Sequence, residues 1–318
     1  MIDKLHSINI AVVIPSYRVK AFLKDVVLTV PEYVNDIIVV DDKCPEESFR
    51  VVEGMERVHI VRHEVNQGVG GAMVSGYKKA LALEADIVVK VDGDGQMDPN
   101  LMMPLLKPLI ENRADYTKGN RFRDLEALKA MPNVRLFGNS VLSFLVKTAS
   151  GYWTIMDPTN GYTAIYRFAL QDLPLDTLDK RYFFESDMLI NLNIVGAVTK
   201  DVSMPAQYGD EESSLSIKKV IMDFPPKLFK GFLKRIKLEY FIYNFNAGSL
   251  YLTIGLPLLL FGIIYGVLTG GQGSEIIIVL PIILGIQFLL QFLSIDMKAE
   301  PEKDLDIKIA LLKKLNEY

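Results

Sequence analysis

The sequence predicts an α/β, Rossmann-like fold with a mainly parallel central sheet, followed by a basic amphipathic helix and two membrane-spanning helices. Three observations carry that expectation. Short β-rich apolar runs alternate with helical patterns along the N-terminal part of the 318 residues, as βα units do. Several of those runs end on polar or glycine residues, where an open α/β sheet binds ligands. No Asp, Glu, Lys or Arg occurs from Tyr240 to Ser274, or again from Ile276 to Ile295.

The elements follow in order. Ile8–Ile14 is a strand expected to end at Pro15; Ile37–Val40 is the next, closed by Asp41-Asp42. Val58–Val61 and Ile87–Val91 are the third and fourth. Ala72, Val74 and Tyr77–Leu83 form a helical pattern, as do Leu101, Met102, Leu105, Leu106 and Leu109. Ala114–Lys118 reads as a fifth strand, Val134–Ala149 as an amphipathic helix and Gly161–Tyr166 as a strand. Ser186–Val195 is expected to be helical and Ala197–Met204 extended. Pro225-Pro226 is expected to break the chain. Lys227–Phe245 then makes a basic helix with Leu228, Phe232, Ile236 and Phe241 on its apolar side, a type that lies in the membrane interface. Ala247–Thr269 and Ile276–Ile295 would be about 35 Å and about 30 Å long as helices, enough for a hydrocarbon core of about 30 Å. The expected division is residues 1–215, 216–245, 246–296 and a tail at 297–318.

Charge and cysteine usage narrow the function classes. The net charge is −4, and no basic-aromatic array is present, so nucleic acid is not an expected partner. Basic residues concentrate before the first span: Lys218, Lys219, Lys227, Lys230, Lys234, Arg235 and Lys237 stand against Asp223 and Glu239. Gly270–Glu275, between the spans, has no Lys or Arg. The positive-inside rule therefore places the N-terminal region and the C-terminal tail in the cytoplasm. Met1–Leu5 is followed by no long apolar core, so no signal peptide is expected. Cys44 is the only cysteine, which precludes an intrachain disulfide and suits a reducing compartment.

The chemistry-bearing residues gather at strand ends. Asp92-Gly93-Asp94-Gly95-Gln96 follows the fourth strand. Two carboxylates one residue apart, with an amide two further on, are hard oxygen ligands suited to Mg²⁺ or Mn²⁺. Pro15-Ser16-Tyr17, Asp41-Asp42, and Asn66 with Gly68, Gly70 and Gly71 occupy other strand ends. A carboxylate there can accept from a base N–H or a ribose hydroxyl, an aromatic ring can pack on a base, and glycines let backbone approach a ligand. Gly68-x-Gly70-x-x-Met73 lacks the third glycine of a dinucleotide fingerprint, and no Gly-Lys-Ser/Thr follows, so dehydrogenase and P-loop readings are weak. Asp157, Glu185 and Asp187 are the further candidate catalytic acids; a turn or helix-cap role is their alternative. Gly209–Ser214 is either a lid or a solvated loop.

This ordered series resembles the family 2 glycosyltransferases, most closely the dolichol- or polyprenyl-phosphate sugar synthase branch. The match rests on Val13–Tyr17, Ile38–Asp42, Asn66–Gly68, Asp92–Pro99, Gly119–Phe122, Arg135 with Asn139, and Asp157–Tyr162. The resemblance implies a glycosyltransferase A-type fold and a nucleotide diphosphate sugar donor. It implies that Pro15, Tyr17, Asp41, Asp42 and Asp92 surround the nucleotide, and that Asp92, Asp94 and Gln96 hold the metal and diphosphate, with Asp94 also catalytic. Arg121 and Arg135 match positions that receive the phosphate of a polyprenyl-phosphate acceptor. Arg18-Val19 and Lys43-Cys44 depart from the branch's usual Asn-Glu and Gly-Ser.

The expected activity is an inverting, membrane-anchored hexosyl transfer to a polyprenyl-phosphate carrier at the cytoplasmic face. The alternatives are transfer to a lipid-linked saccharide in cell-surface glycan assembly, or a non-catalytic, membrane-tethered nucleotide-sugar binding protein. The expected partners are the donor, the carrier, the bilayer and, as an open option, a second copy in a homo-oligomer.

Overall fold

The computed structural model describes residues 7–121, 133–204 and 217–302, excepting the side chains of residues 133–137, 139 and 217–221. Among these residues one seven-stranded sheet forms, in the order β3-β2-β1-β4-β6-β5-β7. The strands are β1 (Ile10–Ser16), β2 (Asp36–Asp41), β3 (Val58–Arg62), β4 (Ile87–Lys90), β5 (Tyr116–Asn120), β6 (Thr163–Tyr166) and β7 (Thr199–Ser203). Only β6 runs antiparallel, between β4 and β5. β1 continues through Pro15 to Ser16, which pairs with Asp41, where the sequence predicts an end at Pro15. The missing proline N–H there costs one ladder bond at the strand's terminus, where proline is tolerated.

Helices cover both faces, so the central strands are apolar on both sides. β1 shows the division: Ala11 and Val13 enter one core with Met73 and Tyr77 of α2 (Val69–Ala82). Ile10, Val12 and Ile14 enter the other with Leu23 and Val27 of α1 (Lys20–Thr29) and Leu105 of α3 (Met103–Ile110). The chain leaves β1 toward β2 and leaves β4 toward β6 and β5, in opposite directions along the sheet, which makes the carboxyl ends of β1 and β4 its switch point.

The first core is extended by α4 (Asn133–Ser150), α6 (Phe184–Ile194) and α7 (Ile217–Lys237), while the short α5 (Arg167–Asp172) follows β6. Pro225 and Pro226 lie inside α7, a correction to the expected break. Each proline removes a helical hydrogen bond; burial of the flanking Phe224 and Leu228 in the core offsets that loss. α7 is amphipathic, with two apolar rows. Leu228 and Ile236 are buried on the inner side, whereas Phe229 and Leu233 are exposed. The segment expected as juxtamembrane thus shares its core with the sheet domain.

A π-helical turn, Leu238–Tyr243, leads into α8 (Ala247–Leu268) and α9 (Glu275–Asp296). These helices have mean hydropathies of 2.1 and 2.6 and are 11 % buried over their most apolar windows. They are long and apolar enough to cross a membrane. Gly255, Gly262 and Gly285 form the seam of the hairpin; a Cβ on Gly255 would stand 2.8 Å from Phe288 Cβ. Small residues at such a seam let helices pack in lipid.

Candidate active site

A cleft of about 590 Å³ opens at the carboxyl ends of β1 and β4, lined in part by Pro15, Tyr17, Asp42, Gly68, Asp92, Asp94 and Glu185. β1, β2 and β4 deliver Pro15, Tyr17, Asp42, Asp92 and Asp94, because each apolar run stops where its side chains leave the core, while Gly68 and Glu185 come from the starts of α2 and α6. Tyr17 is 42 % exposed, and the Arg18 guanidinium lies over its ring, 5.4 Å from the centroid.

Asp42 organises the glycine loop. Its Oδ1 accepts from the Gln67 N–H at 2.7 Å and its Oδ2 from the Gly68 N–H at 2.7 Å. The His63 Nδ1 lies 2.8 Å from the same Oδ1. Gly68 has φ +90 and a virtual Cβ 2.7 Å from Arg181 Cδ, so both its backbone and its neighbour demand glycine. The Gly71 N–H donates to the Lys180 carbonyl at 3.1 Å, which docks residues 179–182 on the loop and turns Arg181 and Tyr182 into the cleft. Asp41 stands one step back, outside the cleft lining. It is buried, accepts from the Cys44 N–H at 3.2 Å, and burial pushes its carboxyl up.

Asp92 and Asp94 both face the cleft. The Gln96 backbone N–H donates to Asp94 Oδ1 at 3.0 Å, closing the turn. The Gln96 side chain is exposed and borders a smaller adjoining cleft with Arg121, Asn160 and Tyr162. Among the described residues no group of three His, Cys, Asp or Glu could enclose an ion. Two carboxylates with an open side fit Mg²⁺ or Mn²⁺, whose remaining positions go to water and substrate phosphate.

Lys90 lies under this pair, 3.1 Å from Asp92 Oδ1 and 3.0 Å from Glu185 Oε1. Burial alone would lower its ammonium, but those two carboxylates more than reverse that and hold it above the usual lysine range.

Asp157 is fully buried and clamped by Arg121: Nε donates to Oδ2 at 2.8 Å and Nη2 to Oδ1 at 3.2 Å. That bidentate pairing makes Asp157 the partner that orients a guanidinium. Asp187 faces the docked loop. Its Oδ2 accepts from the Asp179 N–H at 2.8 Å and its Oδ1 from Asn191 Nδ2 at 3.0 Å, and burial raises its carboxyl. Glu185, two residues nearer the helix start, lines the cleft. Arg135 lies on α4, and its side chain falls outside the described residues, as does the whole of Gly209–Ser214.

Lys90, Arg181 and Tyr182 are site residues absent from the sequence expectations. Lys90 carried a signal, a lone charge inside the apolar run Ile87–Val91. Arg181 and Tyr182 carried none, because only the docked loop brings them in.

The family profile described as Glycosyl transferase family 2 matches residues 11–174. A UDP-N-acetylglucosamine–dolichyl-phosphate N-acetylglucosaminyltransferase of Methanococcus voltae is 33 % identical over 207 residues, 60 % of this chain and 80 % of that protein. An undecaprenyl-phosphate mannosyltransferase of Micrococcus luteus is 28 % identical over 189 residues, 58 % of this chain and 74 % of that one. Among solved structures, glucosyl-3-phosphoglycerate synthase from Mycobacterium tuberculosis, in complex with Mn²⁺, UDP and glucosyl-3-phosphoglycerate, superposes with a TM-score of 0.53. It is 18 % identical, and the match covers 74 % of this chain and 84 % of that chain. The strand order, the carboxylate pair at the switch point and a profile match over more than half of its length together make this chain a member of glycosyl transferase family 2.

Proposed function

We propose that the chain is a membrane-anchored, inverting hexosyltransferase that moves a sugar from a nucleotide diphosphate to a polyprenyl phosphate at the cytoplasmic face. The names of its relatives support the acceptor class, and the basic segment before α8 supports the orientation.

The observation that carries the reading is the state of the carboxylates. A sugar-hydroxyl acceptor would need a general base. Asp157 is clamped by Arg121, Glu185 is paired to Lys90, and Asp187 is held by the Asp179 amide and Asn191. A phosphate monoester has a second pKa of about 6, so it is mostly dianionic at pH 7 and needs little base. It does need cations, and Arg121 beside the smaller cleft offers a guanidinium held rigid by Asp157.

In this scheme Tyr17 packs on the donor's base and Pro15 bounds its pocket. Asp42 keeps the glycine loop folded so that its backbone can approach the donor, with Asp41 bracing the turn behind it. Asp92 and Asp94 would hold Mg²⁺ or Mn²⁺, which would offset the charge that builds on the leaving diphosphate, while the expected third ligand, Gln96, borders the smaller cleft beside Arg121. Arg121, with Arg135 as its expected companion, steers the acceptor phosphate. Its oxygen bonds to the anomeric carbon as the opposite C–O bond to the diphosphate breaks, which inverts that centre.

The test is turnover of the full-length protein with UDP- or GDP-sugars, Mn²⁺ and either a polyprenyl phosphate or a lipid-linked saccharide. The expected product is a polyprenyl phosphosugar of opposite anomeric configuration. Transfer to the saccharide alone would refute the phosphate acceptor, and binding without any turnover would favour a non-catalytic sensor.

A further inference from the structure

The scheme above leaves a buried charge at the floor of the cleft without a task. Lys90 ends β4, is 2 % exposed, and is the only charged residue of that strand. Its ammonium reaches Asp92 in the turn after β4 and Glu185 in the first turn of α6. One cation therefore ties together two walls that belong to different elements. The backbone makes room for it. A Cβ on Gly161 would collide with Lys90 Nζ and stand 2.8 Å from Asp92 Oδ2, so a side chain there would push the ammonium or the carboxylate aside. An apolar side chain would fill this position in a buried strand at less cost, as Val88 and Val89 do beside it.

We infer that Lys90 is a positioning residue for transfer. It sets the spacing between Asp92, on the diphosphate side of the cleft, and Glu185, on the sugar side. Glu185, so held, accepts hydrogen bonds from hydroxyls of the transferred sugar and keeps the anomeric carbon in line for the acceptor oxygen. Lys90 also shares the charge of Asp92, so the empty cleft is a weak cation site that tightens only when a diphosphate adds negative charge. The inference rests on the glycosyltransferase reading and is independent of the acceptor's identity.

The test uses the full-length protein in detergent with three variants, Lys90→Met, Lys90→Arg and Glu185→Gln. Mn²⁺ affinity without nucleotide is read by electron paramagnetic resonance. Donor kcat and KM are measured beside the fraction of donor hydrolysed rather than transferred. Lys90→Met should bind free Mn²⁺ at least about fivefold more tightly, because a positive charge beside Asp92 is gone. It should lose about 10²-fold in kcat, as a sugar misplaced by about 1 Å does, with donor KM little changed and the hydrolysed fraction raised. Lys90→Arg should recover part of kcat. Glu185→Gln, which leaves the Asp92 contact in place, should raise hydrolysis without tightening Mn²⁺. A Lys90→Met protein with wild-type kcat and hydrolysed fraction, whether or not its melting temperature falls, overturns the inference. If Lys90→Met does not fold, an unchanged hydrolysed fraction in both other variants does so. Mn²⁺ binding and hydrolysis need no acceptor, so a wild type that refuses polyprenyl phosphate would remove the acceptor reading alone.

Discussion

Asp94 meets the cleft on one side and the Gln96 N–H on the other. The adjoining Gly95 and Gln96 are exposed, so water can replace that bond and Asp94→Ala should fold normally. It is expected to abolish transfer and metal-dependent nucleotide binding together, checked by calorimetric titration of UDP and GDP with Mn²⁺. Undiminished wild-type turnover in excess chelator would remove the metal from the scheme. Loss of one charge-assisted contact to the acceptor, from Arg121, should slow acceptor-dependent transfer by about ten- to a hundredfold, or about 1.5–3 kcal/mol. Arg121→Ala also strands the buried Asp157, and removing one partner of a buried pair destabilises. The double variant Arg121→Ala/Asp157→Asn should regain stability in urea unfolding without regaining transfer; recovery of both would make Arg121 purely structural. Asp201, at the end of the sheet, is pushed up to about 6 from 3.8, first by burial. Its Oδ2 accepts from Asn120 and the Met156 N–H, and its Oδ1 has no partner among the described residues. A carboxyl with a raised folded pKa binds more protons folded than unfolded, so its contribution to stability falls as pH rises from about 4 to about 6. The deficit at pH 7 is on the order of 3 kcal/mol. Asp201→Asn should flatten that slope and raise stability at pH 7, measured by urea unfolding at both ends of the window.

Helix α7 joins the catalytic unit to the anchor through one buried ion pair. Arg235 and Asp296 are both 2 % exposed, with Nη1 2.7 Å from Oδ1 and Nη2 3.0 Å from Oδ2. Arg235 Nε and Nη2 also donate to the Ala149 and Thr148 carbonyls at 3.0 Å each, at the C-terminus of α4, where a cation is favoured. Tyr240 donates to Asp296 Oδ1 at 2.9 Å. The last residue of the second span is thereby fastened to α4, the helix whose first turn carries Arg135. Asp296→Ala leaves Arg235 buried without its counter-ion and should cost about 3–5 kcal/mol. The expected signature in hydrogen exchange is faster exchange at the end of α4 and in α7, with the β1–β4 core unchanged. Uniform protection in the variant would show that the pair holds nothing in place.

At the scale of the molecule, α7 links the anchor to the sheet domain through two separate clusters. Its Phe224 and Leu228 are buried in the first core of the sheet domain, its Ile236 with Tyr240 and with Phe292 of α9, and Phe183 packs edge-on against Phe224 at 5.3 Å. A chain ended after Pro225 would expose α4 and α6 and should aggregate. A chain ended at Asn244 keeps α7, loses the spans, and should bind nucleotide with metal while leaving vesicles in a flotation assay. Its stability should still fall, because Asp296 is gone. Equal solubility and nucleotide affinity in the two truncations would mean that α7 is dispensable to the fold.

The alternating runs and their periods sufficed to place most of the elements, since side-chain periodicity is a local property that burial enforces along each strand and helix. The same locality made the Asp92–Gln96 turn, Tyr17 and Asp42 legible: residues at strand ends need no distant partner to reach the cleft. The paired states of Asp157, Glu185 and Asp187 were not legible, nor were the contributions of Arg181 and Tyr182. Each depends on which side chain another element brings within about 3 Å, and nothing local records that. Pro225-Pro226 misled for the same reason: a local hydrogen-bond loss argued for a break, while the core contacts that outweigh it come from α4 and α6. The sequence by itself determined an α/β sheet with a carboxylate pair at its switch point and an apolar hairpin behind it. The tertiary structure alone decided which carboxylates are spent on Lys90, Arg121 and backbone amides, because charge pairing is settled by distance in space.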